Sequence, residues 1–401
     1  MVLKIPFIKT IELEKSIEEI IEKTVDKSKK STINLIDSVP KKKSIAFAFI
    51  APFNLDNIEI DSIEKTKIYL EKLNLSTLSL DFYSGTLMAL QKAKNLGINL
   101  EVDTYDNKNS FEEIDKIANS KKIKNYDFIL GPFIPRNINR LSSMLSEFNT
   151  PIVSPLTSKE INLNKNIFQS IPPVELQREL MFRHVDSLIL QDPDPCVMII
   201  YDTSTENVKE ELLKRFPYAE LIDTDLTMGL VDPQITDSLL VEQKNNLVFL
   251  ESQNLNVITS VSSLLNSQIS KERSINMLSS YRSETYENEN ISFQHLGNLK
   301  FTYPTYFYPK YDEELNELND LFFENFGKLP NKIVIRAYEI TLDLILRSAF
   351  RRKLVKSINI GETKYYQNRF NYKKLNNGYI NESVLLIQHD DLDVFEITSE
   401  K

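Results

Sequence analysis

Short, continuous apolar runs that alternate with amphipathic stretches are the feature of this sequence that most constrains its fold. The clearest run is SIAFAFIAP at residues 44–52, which has the pattern of a strand buried on both faces of a parallel sheet. Because such strands alternate with helical stretches, we predict a parallel sheet with right-handed crossovers. Further strands of this block are predicted at Asn99–Asp106, Asp127–Gly131 and Pro151–Ser154, and its helices at Leu80–Leu96 (ended by Gly97), Phe111–Ser120 and Asn137–Glu147.

The same rhythm starts again in the second half of the chain, so the sequence predicts two α/β blocks in tandem. The helices of this block are predicted at Leu176–Leu190, Glu206–Phe216 and residues 255–267, and its strands at Cys196–Tyr201, Leu247–Glu251 and Ile275–Ser279. After both blocks come an aromatic stretch at Tyr303–Tyr311, helices at Asp312–Phe326 and Ile333–Arg351, and a hairpin-like stretch at Phe370–Ile397. We interpret the aromatic stretch as a crossover strand with packing residues rather than as a stacking platform.

The composition argues against several classes of function. With 48 Lys+Arg against 57 Asp+Glu, the 401-residue chain carries a net charge of −9, and its one basic cluster is residues 41–43, which disfavours nucleic-acid binding. The single cysteine, Cys196, excludes an internal disulfide and a multi-thiolate metal site, and the three histidines are scattered. We predict no metal and no cofactor, although a site built from carboxylates alone stays open. Without a GxSxG, P-loop or GxGxxG motif, we expect no enzyme.

The first 43 residues are interpreted as an N-terminal segment and linker. Residues 11–29 have a helical spacing of apolar side chains, and Asp37–Lys43 is a polar linker. We find no signal peptide, and apolar runs of about ten residues are too short to span a bilayer. Taken literally, this indicates a cytoplasmic protein.

Open parallel sheets bind ligands at the carboxyl ends of their strands. In the first block, the helix that starts near Asn137 offers free backbone N–H groups for a carboxylate or other anion, with Arg136 as its charge partner. Ser154, Thr157 and Ser158 follow the next strand, where they either contact a ligand or cap the following turn. Candidate contacts in the second block, which are equally compatible with a surface position, are Tyr201, Asp202, Glu251, Gln253, Tyr281 and Arg282.

Five short motifs in the correct order resemble the type I periplasmic-binding-protein fold of the leucine and branched-chain amino-acid receptor group. They are IAFAFIAPF at 45–53, Asp81–Gly85 leading into Met88–Leu90, Asp127–Pro132, Pro151–Pro155, and Phe326–Asn331 followed by Arg336–Glu339. The resemblance implies two Rossmann-like α/β lobes with parallel sheets, joined by a three-strand hinge that lets them close on a ligand. It implies that lobe one is residues 44–174 and 304–366, and that lobe two is residues 175–303 and 367–397.

Transferring the family's ligand site residue by residue gives a partial match. Pro135 stands where the family usually presents a serine to the ligand carboxylate. Leu156, Thr157 and Ser158 lie where the family makes ligand contacts, so they are predicted to be part of the site. No acid that would bind an α-ammonium group can be placed in lobe two.

The tetrapeptide Leu3–Pro6 (LKIP) resembles the closing strand of LysM peptidoglycan-binding modules. In Bacteroidetes-type proteins such modules often precede a domain of this kind. The resemblance implies that Met1 is not the native start, and that a signal sequence and LysM modules lie upstream. It also implies peptidoglycan as a partner, and a location in the periplasm or at the outer membrane, as in a lipoprotein.

Two functions therefore stay open. The first is a non-catalytic solute-binding domain of a cell-wall-associated protein, which binds a small ligand or an envelope protein in or around an interlobe cleft. The second is an interaction module with a degenerate cleft that regulates envelope or peptidoglycan machinery without binding a small molecule. Outer-membrane lipoprotein activators of peptidoglycan synthases, which resemble this fold, are the precedent for the second function.

Overall fold

The computed structural model of the chain describes residues 32–38, 40–58, 61–192, 194–224, 230–309 and 316–397. The predicted helix at 11–29 and the LKIP motif lie outside these residues. The chain divides into two compact units, each formed from two stretches of sequence. Unit 1 comprises residues 1–173 and 311–383, and unit 2 comprises residues 174–310 and 384–401. No helix among the described residues is long and apolar enough to cross a membrane.

The elements are numbered in chain order. The strands are β1 (Ser44–Ala51), β2 (Asn99–Asp106), β3 (Phe128–Leu130), β4 (Ile152–Ser154), β5 (Ile167–Gln169), β6 (Cys196–Tyr201), β7 (Glu220–Asp223), β8 (Asn245–Glu251), β9 (Ser274–Leu278), β10 (Thr302–Thr305), β11 (Thr363–Lys364), β12 (Arg369–Phe370), β13 (Tyr372–Leu375), β14 (Gly378–Asn381), β15 (Leu385–Asp390) and β16 (Asp393–Glu396). The helices are α1 (Ile63–Glu71), α2 (Leu75–Asn95), α3 (Phe111–Asn119), α4 (Pro135–Met144), α5 (Val174–Gln191), α6 (Glu206–Arg215), α7 (Pro233–Leu239), α8 (Leu255–Ser267), α9 (Phe293–Asn298), α10 (Asn316–Phe326) and α11 (Lys332–Arg351).

The sheet of unit 1 has the strand order β13-β14-β5-β4-β3-β1-β2. Its strands pair in parallel except for β13, which is antiparallel to β14. Side chains of β1 alternate between two buried layers: Phe47 and Phe49 pack on one face of the sheet, and Ala48 and Ile50 on the other. Because both faces of the strand are buried, its sequence is a continuous apolar run.

The helices α2 and α11 form the closest helix pair of unit 1. Gly85 permits this packing, because a Cβ at that position would lie 2.2 Å from the Val334 carbonyl oxygen. Asn74 caps the start of α2 by accepting from the backbone N–H groups of Ser76 and Thr77, and Gly97 follows its end with φ of 80°. The predicted stop of this helix at Gly97 is therefore confirmed.

The sheet of unit 2 has the order β16-β15-β10-β9-β8-β6-β7. Strands β6 to β10 pair in parallel, and β15 joins them antiparallel to β10, with Thr302 opposite Gln388. Side chains of β6 also alternate between two layers, since Met198 and Ile200 pack on one face and Val197 and Ile199 on the other. Both units therefore have the predicted α/β architecture with largely parallel sheets.

The chain first passes from unit 1 to unit 2 after residue 173, within one residue of the predicted position, but its other two crossings differ from the predicted ones. Thr302–Thr305 pairs as β10 in unit 2, whereas the predicted boundary assigns residue 304 onward to lobe one. The hairpin-like stretch at 370–397 is shared, because β13 and β14 belong to unit 1 and β15 and β16 to unit 2. The reason is a long-range pairing: β14 lies parallel to β5, and the rings of Tyr379 and Phe168 stack at 4.3 Å.

Helix boundaries also differ from the predicted ones. The helix predicted from Leu80 begins five residues earlier, at Leu75, because Asn74 supplies its cap. The helix predicted from Asn137 begins at Pro135, since proline is well suited to a first helical turn. The short elements β5, β7, α1, α7 and α9 have no counterpart in the sequence prediction.

Candidate ligand-binding site

The loop after β3 leads directly into α4 at the carboxyl edge of the unit 1 sheet. Gly131 has φ of 101°, and a Cβ there would lie 2.0 Å from the Ile50 carbonyl oxygen, so only glycine permits this approach to β1. Pro135 is the first residue of α4 and has no N–H to offer. Pro135, which the sequence suggests as a site residue, is therefore a helix-starting residue without a donor.

Arg136 is exposed and is directed towards the loop that follows β2. Its Nη2 donates to the Asn109 carbonyl oxygen at 3.2 Å, and its guanidinium carbon lies 5.8 Å from the centre of the Phe111 ring. Next to it, Asn137 Nδ2 donates to Asn109 Oδ1 at 3.0 Å. The sequence suggests that Arg136 binds an anion. In the structure its guanidinium group instead contacts Asn109 and Phe111 of the protein itself.

The loop after β4 carries Ser154, whose side chain is fully buried. The Ser154 carbonyl oxygen accepts from the backbone N–H of Ser170 at 3.1 Å and from its hydroxyl at 2.7 Å. The Ser154 hydroxyl itself has no hydrogen-bond partner among the described residues. A buried hydroxyl that is left unpaired carries an energetic cost, which a hydrogen bond at this strand end would remove.

The next three residues of this loop differ in their surroundings. Leu156 is half-buried and packs against the main apolar core of unit 1. Thr157 is buried, and its Oγ1 accepts from the Lys159 N–H at 3.1 Å, which is the turn-capping role that the sequence left open. Ser158 is half-buried beside it. Among the described residues, no hydrogen bond of the Ser158 side chain is observed.

Arg336 of α11 forms hydrogen bonds that hold the loop after β4 in place. Its Nε and Nη2 each donate to the Pro155 carbonyl oxygen at 3.4 Å, and Nη2 also donates to the Ser170 hydroxyl at 2.8 Å. Its Nη1 donates to Asn368 Oδ1 at 2.6 Å, and Asn368 Nδ2 donates to Glu339 at 2.6 Å. Glu339 is fully buried, and burial raises the pKa of its carboxyl group to about 7.

In unit 2, Tyr201 and Glu251 are register partners at the ends of the parallel strands β6 and β8. Tyr201 is almost buried, Lys209 Nζ lies 4.8 Å from the centre of its ring, and burial raises the pKa of its hydroxyl. Thr205 joins the two strand ends, because its Oγ1 donates to the Glu251 carbonyl oxygen at 2.7 Å. The structure therefore brings these two predicted site residues together.

Glu251 is the most perturbed acid at this edge. It is 2% exposed, and burial raises the pKa of its carboxyl group to about 7. The Ser280 backbone N–H donates to its Oε1 at 2.6 Å, and the positive charge of Arg178 opposes the upward shift. A carboxyl group with a pKa near 7 can either donate or accept a hydrogen bond. It is therefore better suited to binding a neutral polar group than to binding a permanently charged cation.

The other candidates of unit 2 surround this pair. Asp202 accepts from the Ser204 N–H at 2.9 Å and from the Ser252 hydroxyl, so it closes the turn before α6. Tyr281 is at the border of exposure, and its carbonyl oxygen accepts from the Ser279 hydroxyl at 3.0 Å. Arg282 is turned inward: its Nη1 donates to Glu287 at 3.2 Å, and its guanidinium carbon lies 5.0 Å from the Tyr303 ring centre.

Sequence reasoning missed several polar residues at these edges. Ser252 follows β8 directly and Ser280 lies two residues after the end of β9, and these positions near strand ends were the signal that could have found them. Asn107, at the end of β2, is fully buried, and neither of its amide atoms has a partner among the described residues. Arg336 and Glu339 lie on a helix, where charged side chains are normally taken as a solvated face, so the sequence offered no signal for their burial.

The described residues contain no group of three or more His, Cys, Asp or Glu side chains arranged to hold a metal ion. Each edge, taken by itself, offers polar groups instead: hydroxyls and amides in unit 1, and hydroxyls, backbone N–H groups and the Glu251 carboxyl group in unit 2. Groups of this kind can form hydrogen bonds to a small polar molecule.

Several solved structures of ABC transporter proteins share this architecture. A putative branched-chain amino acid ABC transporter protein from Rhodospirillum rubrum has a TM-score of 0.59 at 10% identity, covering 89% of this chain and 100% of that one. A periplasmic ligand-binding protein of a branched-chain amino acid ABC transporter from Burkholderia xenovorans LB400 has a TM-score of 0.56 at 8% identity, with coverages of 88% and 94%. An ABC transporter substrate-binding protein from Desulfitobacterium hafniense, in complex with Leu, has a TM-score of 0.50 at 12% identity, with coverages of 88% and 100%.

These similarities show that the chain has the two-lobe fold of type I periplasmic binding proteins, which confirms the predicted fold class. No protein-family model matches the chain, and no curated protein matches it. The particular activity must therefore be argued from the residues of this chain.

Proposed function

We propose that this chain is a solute-binding protein whose strand-end loops bind a small polar molecule. The observation that carries the proposal is Glu251, a buried carboxyl group at the end of β8 with a pKa of about 7. Its Oε1 already accepts from the Ser280 N–H, and a ligand's amino or hydroxyl group would be a further polar partner that offsets the cost of burying the carboxyl group. In unit 1, the buried Ser154 hydroxyl and the half-buried Ser158 are the candidate contacts of that unit's own strand-end edge.

The proposal extends to the setting of the protein. We infer that it binds without catalysis, since substrate binding is what the names of its structural neighbours describe. A periplasmic or outer-membrane location, LysM modules upstream and peptidoglycan as a partner remain predictions from the sequence resemblance. We take the two lobes to be unit 1 (residues 1–173 and 311–383) and unit 2 (residues 174–310 and 384–401).

An interaction module that binds no small molecule is the alternative. Pro135 favours it, because proline offers no donor where the related receptors usually place a serine. Arg136 also favours it, since its guanidinium already bonds the Asn109 carbonyl oxygen. In that case the chain would have the fold of a receptor, but its strand-end loops would lack the polar groups that bind a ligand.

A thermal-shift screen with amino acids, short peptides, muropeptides, nucleosides and sugars separates the two functions. A ligand at 100 times its Kd stabilises the folded protein by about 2.7 kcal/mol, which we expect as a saturable rise of several degrees in Tm. Glu251→Gln should weaken the ligand's affinity about tenfold or more, because the amide oxygen can still accept from the Ser280 N–H but the side chain can no longer ionise towards the ligand. Glu210→Gln, an exposed change on α6, is the matched control and should leave the affinity unchanged.

A flat screen on well-folded protein would contradict the solute-binding proposal and favour the interaction module. A ligand that binds Glu251→Gln as tightly as the wild type would show that the unit 2 edge is not its site.

A further inference from the structure

The helix α1 is unusual in this chain because none of its nine residues is buried. It follows β1 and precedes α2, to which hydrogen bonds connect it. Tyr69 and Ser76 share a hydroxyl–hydroxyl bond of 2.7 Å, and Asn74 Nδ2 donates to the Tyr69 carbonyl oxygen at 2.9 Å. Isolated helices shorter than about 12–15 residues are marginal in water, so a helix of this length normally depends on packing.

Apolar side chains on and beside α1 face solvent. Ile63 is 87% exposed and Leu73 is 93% exposed, with Ile68 and Leu70 also exposed. A groove of about 630 Å³ runs along one face of the helix. Its lining residues are Ile58, Ile63, Thr66, Lys67, Leu70 and Glu71. Contiguous exposed apolar surface of this kind marks an interaction site more often than single scattered residues do.

The charges around the groove indicate what it binds. Segment 61–72 carries three acids (Asp61, Glu64, Glu71) and three lysines (Lys65, Lys67, Lys72), whereas the whole chain carries −9. Two copies of the chain would repel each other least at such a neutral segment. A strongly charged partner or an anionic membrane would gain little from it.

Lys67 and Glu71 make the groove complementary to itself. They lie four residues apart, with Nζ and Oε1 3.9 Å from each other, and both are largely exposed. In an antiparallel pair of α1 helices related by a two-fold axis, Lys67 of each copy faces Glu71 of the other. The same operation places Ile68 of one copy opposite Leu70 of the second.

We propose that a second copy of this chain occupies the groove, so that two chains associate through antiparallel α1 helices. The apolar side chains around Ile63, Leu70 and Leu73 become covered, and two Lys67–Glu71 pairs fix the orientation. A contact based on one short helix is small compared with the roughly 1,000 Å² of a specific interface. We therefore expect a weak dimer, with a Kd of about 10–1,000 µM. The proposal does not depend on the ligand-binding function.

Sedimentation velocity of the full chain from micromolar to near-millimolar concentration tests the proposal. We expect a concentration-dependent monomer–dimer equilibrium that Leu73→Asp and Lys67→Glu each weaken by about tenfold or more. Leu190→Asp, which introduces the same charge at a residue 84% exposed on α5, is the matched control and should not change the equilibrium.

A charge-swap experiment identifies the occupant as a second copy. Lys67→Glu and Glu71→Lys should each lose self-association, because like charges then face each other across the two-fold axis. A mixture of the two variants should form a heterodimer, since every facing pair is again of opposite sign. The double variant should self-associate like the wild type. Circular dichroism and Tm verify that each variant is folded.

Three results would overturn the proposal: a monomer at all concentrations, a dimer insensitive to the α1 substitutions, or no heterodimer in the mixture. A monomeric chain whose Tm falls by several degrees with Leu73→Asp would show that the groove is covered within its own chain, and this too contradicts the proposal.

Discussion

The carbonyl oxygen of Val334 lies only 2.2 Å from the position that a Cβ would take on Gly85. The Cβ of Ala337 would be 2.8 Å from the same position. The backbones of α2 and α11 therefore meet at this glycine, and α11 is buried along nearly its whole length against α2 and the sheet. The packing of unit 1 depends on a residue whose side chain is a single hydrogen atom.

Gly85→Ala should destabilise the protein. In a solvent-exposed helix this substitution would stabilise by up to about 1 kcal/mol, but here the added methyl group overlaps backbone atoms of α11. We expect a net loss of about 1–3 kcal/mol in the free energy of unfolding, measured by urea denaturation. Lys94→Ala, an exposed change on the same helix, should stay within about 0.5 kcal/mol. An unchanged stability of Gly85→Ala would refute the close approach of the two helices.

Asp343 and Arg347 form a fully buried ion pair on α11, with Arg347 Nε 2.8 Å from Asp343 Oδ2. Arg347→Met should cost about 3–5 kcal/mol, because it leaves a buried carboxylate without its cation. The double variant Asp343→Leu with Arg347→Met should cost less than the sum of the single changes, as urea denaturation in a double-mutant cycle would reveal. Additive losses would contradict the coupling.

The exposed pair Arg140–Asp115 serves as the control for this cycle. Arg140 donates through two nitrogens to Asp115 at 2.8 Å, but both side chains are in contact with solvent. Surface pairs contribute about 0–1 kcal/mol, so Arg140→Met should have a much smaller effect than Arg347→Met.

Stability should fall as the pH rises through neutrality because of the buried acid Glu339. Its folded-state pKa of about 7 lies above the value of 4.5 that is usual for glutamate, so the folded state holds a proton that the unfolded state has lost. Its contribution is fully present below pH 4.5 and is lost as the pH rises past about 7, which amounts to roughly 3 kcal/mol. Glu339→Gln should flatten the profile of unfolding free energy between pH 5 and 8. A variant profile as steep as that of the wild type would contradict the prediction.

His389 should produce the opposite dependence in unit 2. It is buried among Phe293, Phe301 and Tyr303, and burial, assisted by the charge of Arg282, lowers its pKa to about 4. Because the unfolded state takes up a proton first, stability is lost as the pH falls from about 6.5 to about 4. His389→Phe should remove this loss, measured by thermal unfolding between pH 4 and 7. The prediction fails if the variant and the wild type lose the same stability over this range.

Much of the fold could be predicted because local periodicity reports burial. The run at residues 44–52 is apolar on both faces, and it forms strand β1, which is paired on both sides, with β2 and β3. The helix predicted at Glu206–Phe216 is found as α6, ending one residue earlier. Candidate sites were predictable in outline, because the ends of parallel strands lie at one edge; Tyr201 and Glu251 are neighbours for that reason.

The sequence by itself determined the repeated strand–helix alternation and the placement of polar residues at strand ends, since both depend on residues close together in the chain. Only the tertiary structure decided which unit receives the last strands, because β14 pairs with β5 over more than two hundred residues. It also decided that Arg336 and Glu339 are buried, since the groups that compensate their charges, Ser170 and Asn368, come from distant segments. Local patterns carry no information about such partners, and the cost of burying a charge is offset only once the chain has brought them together.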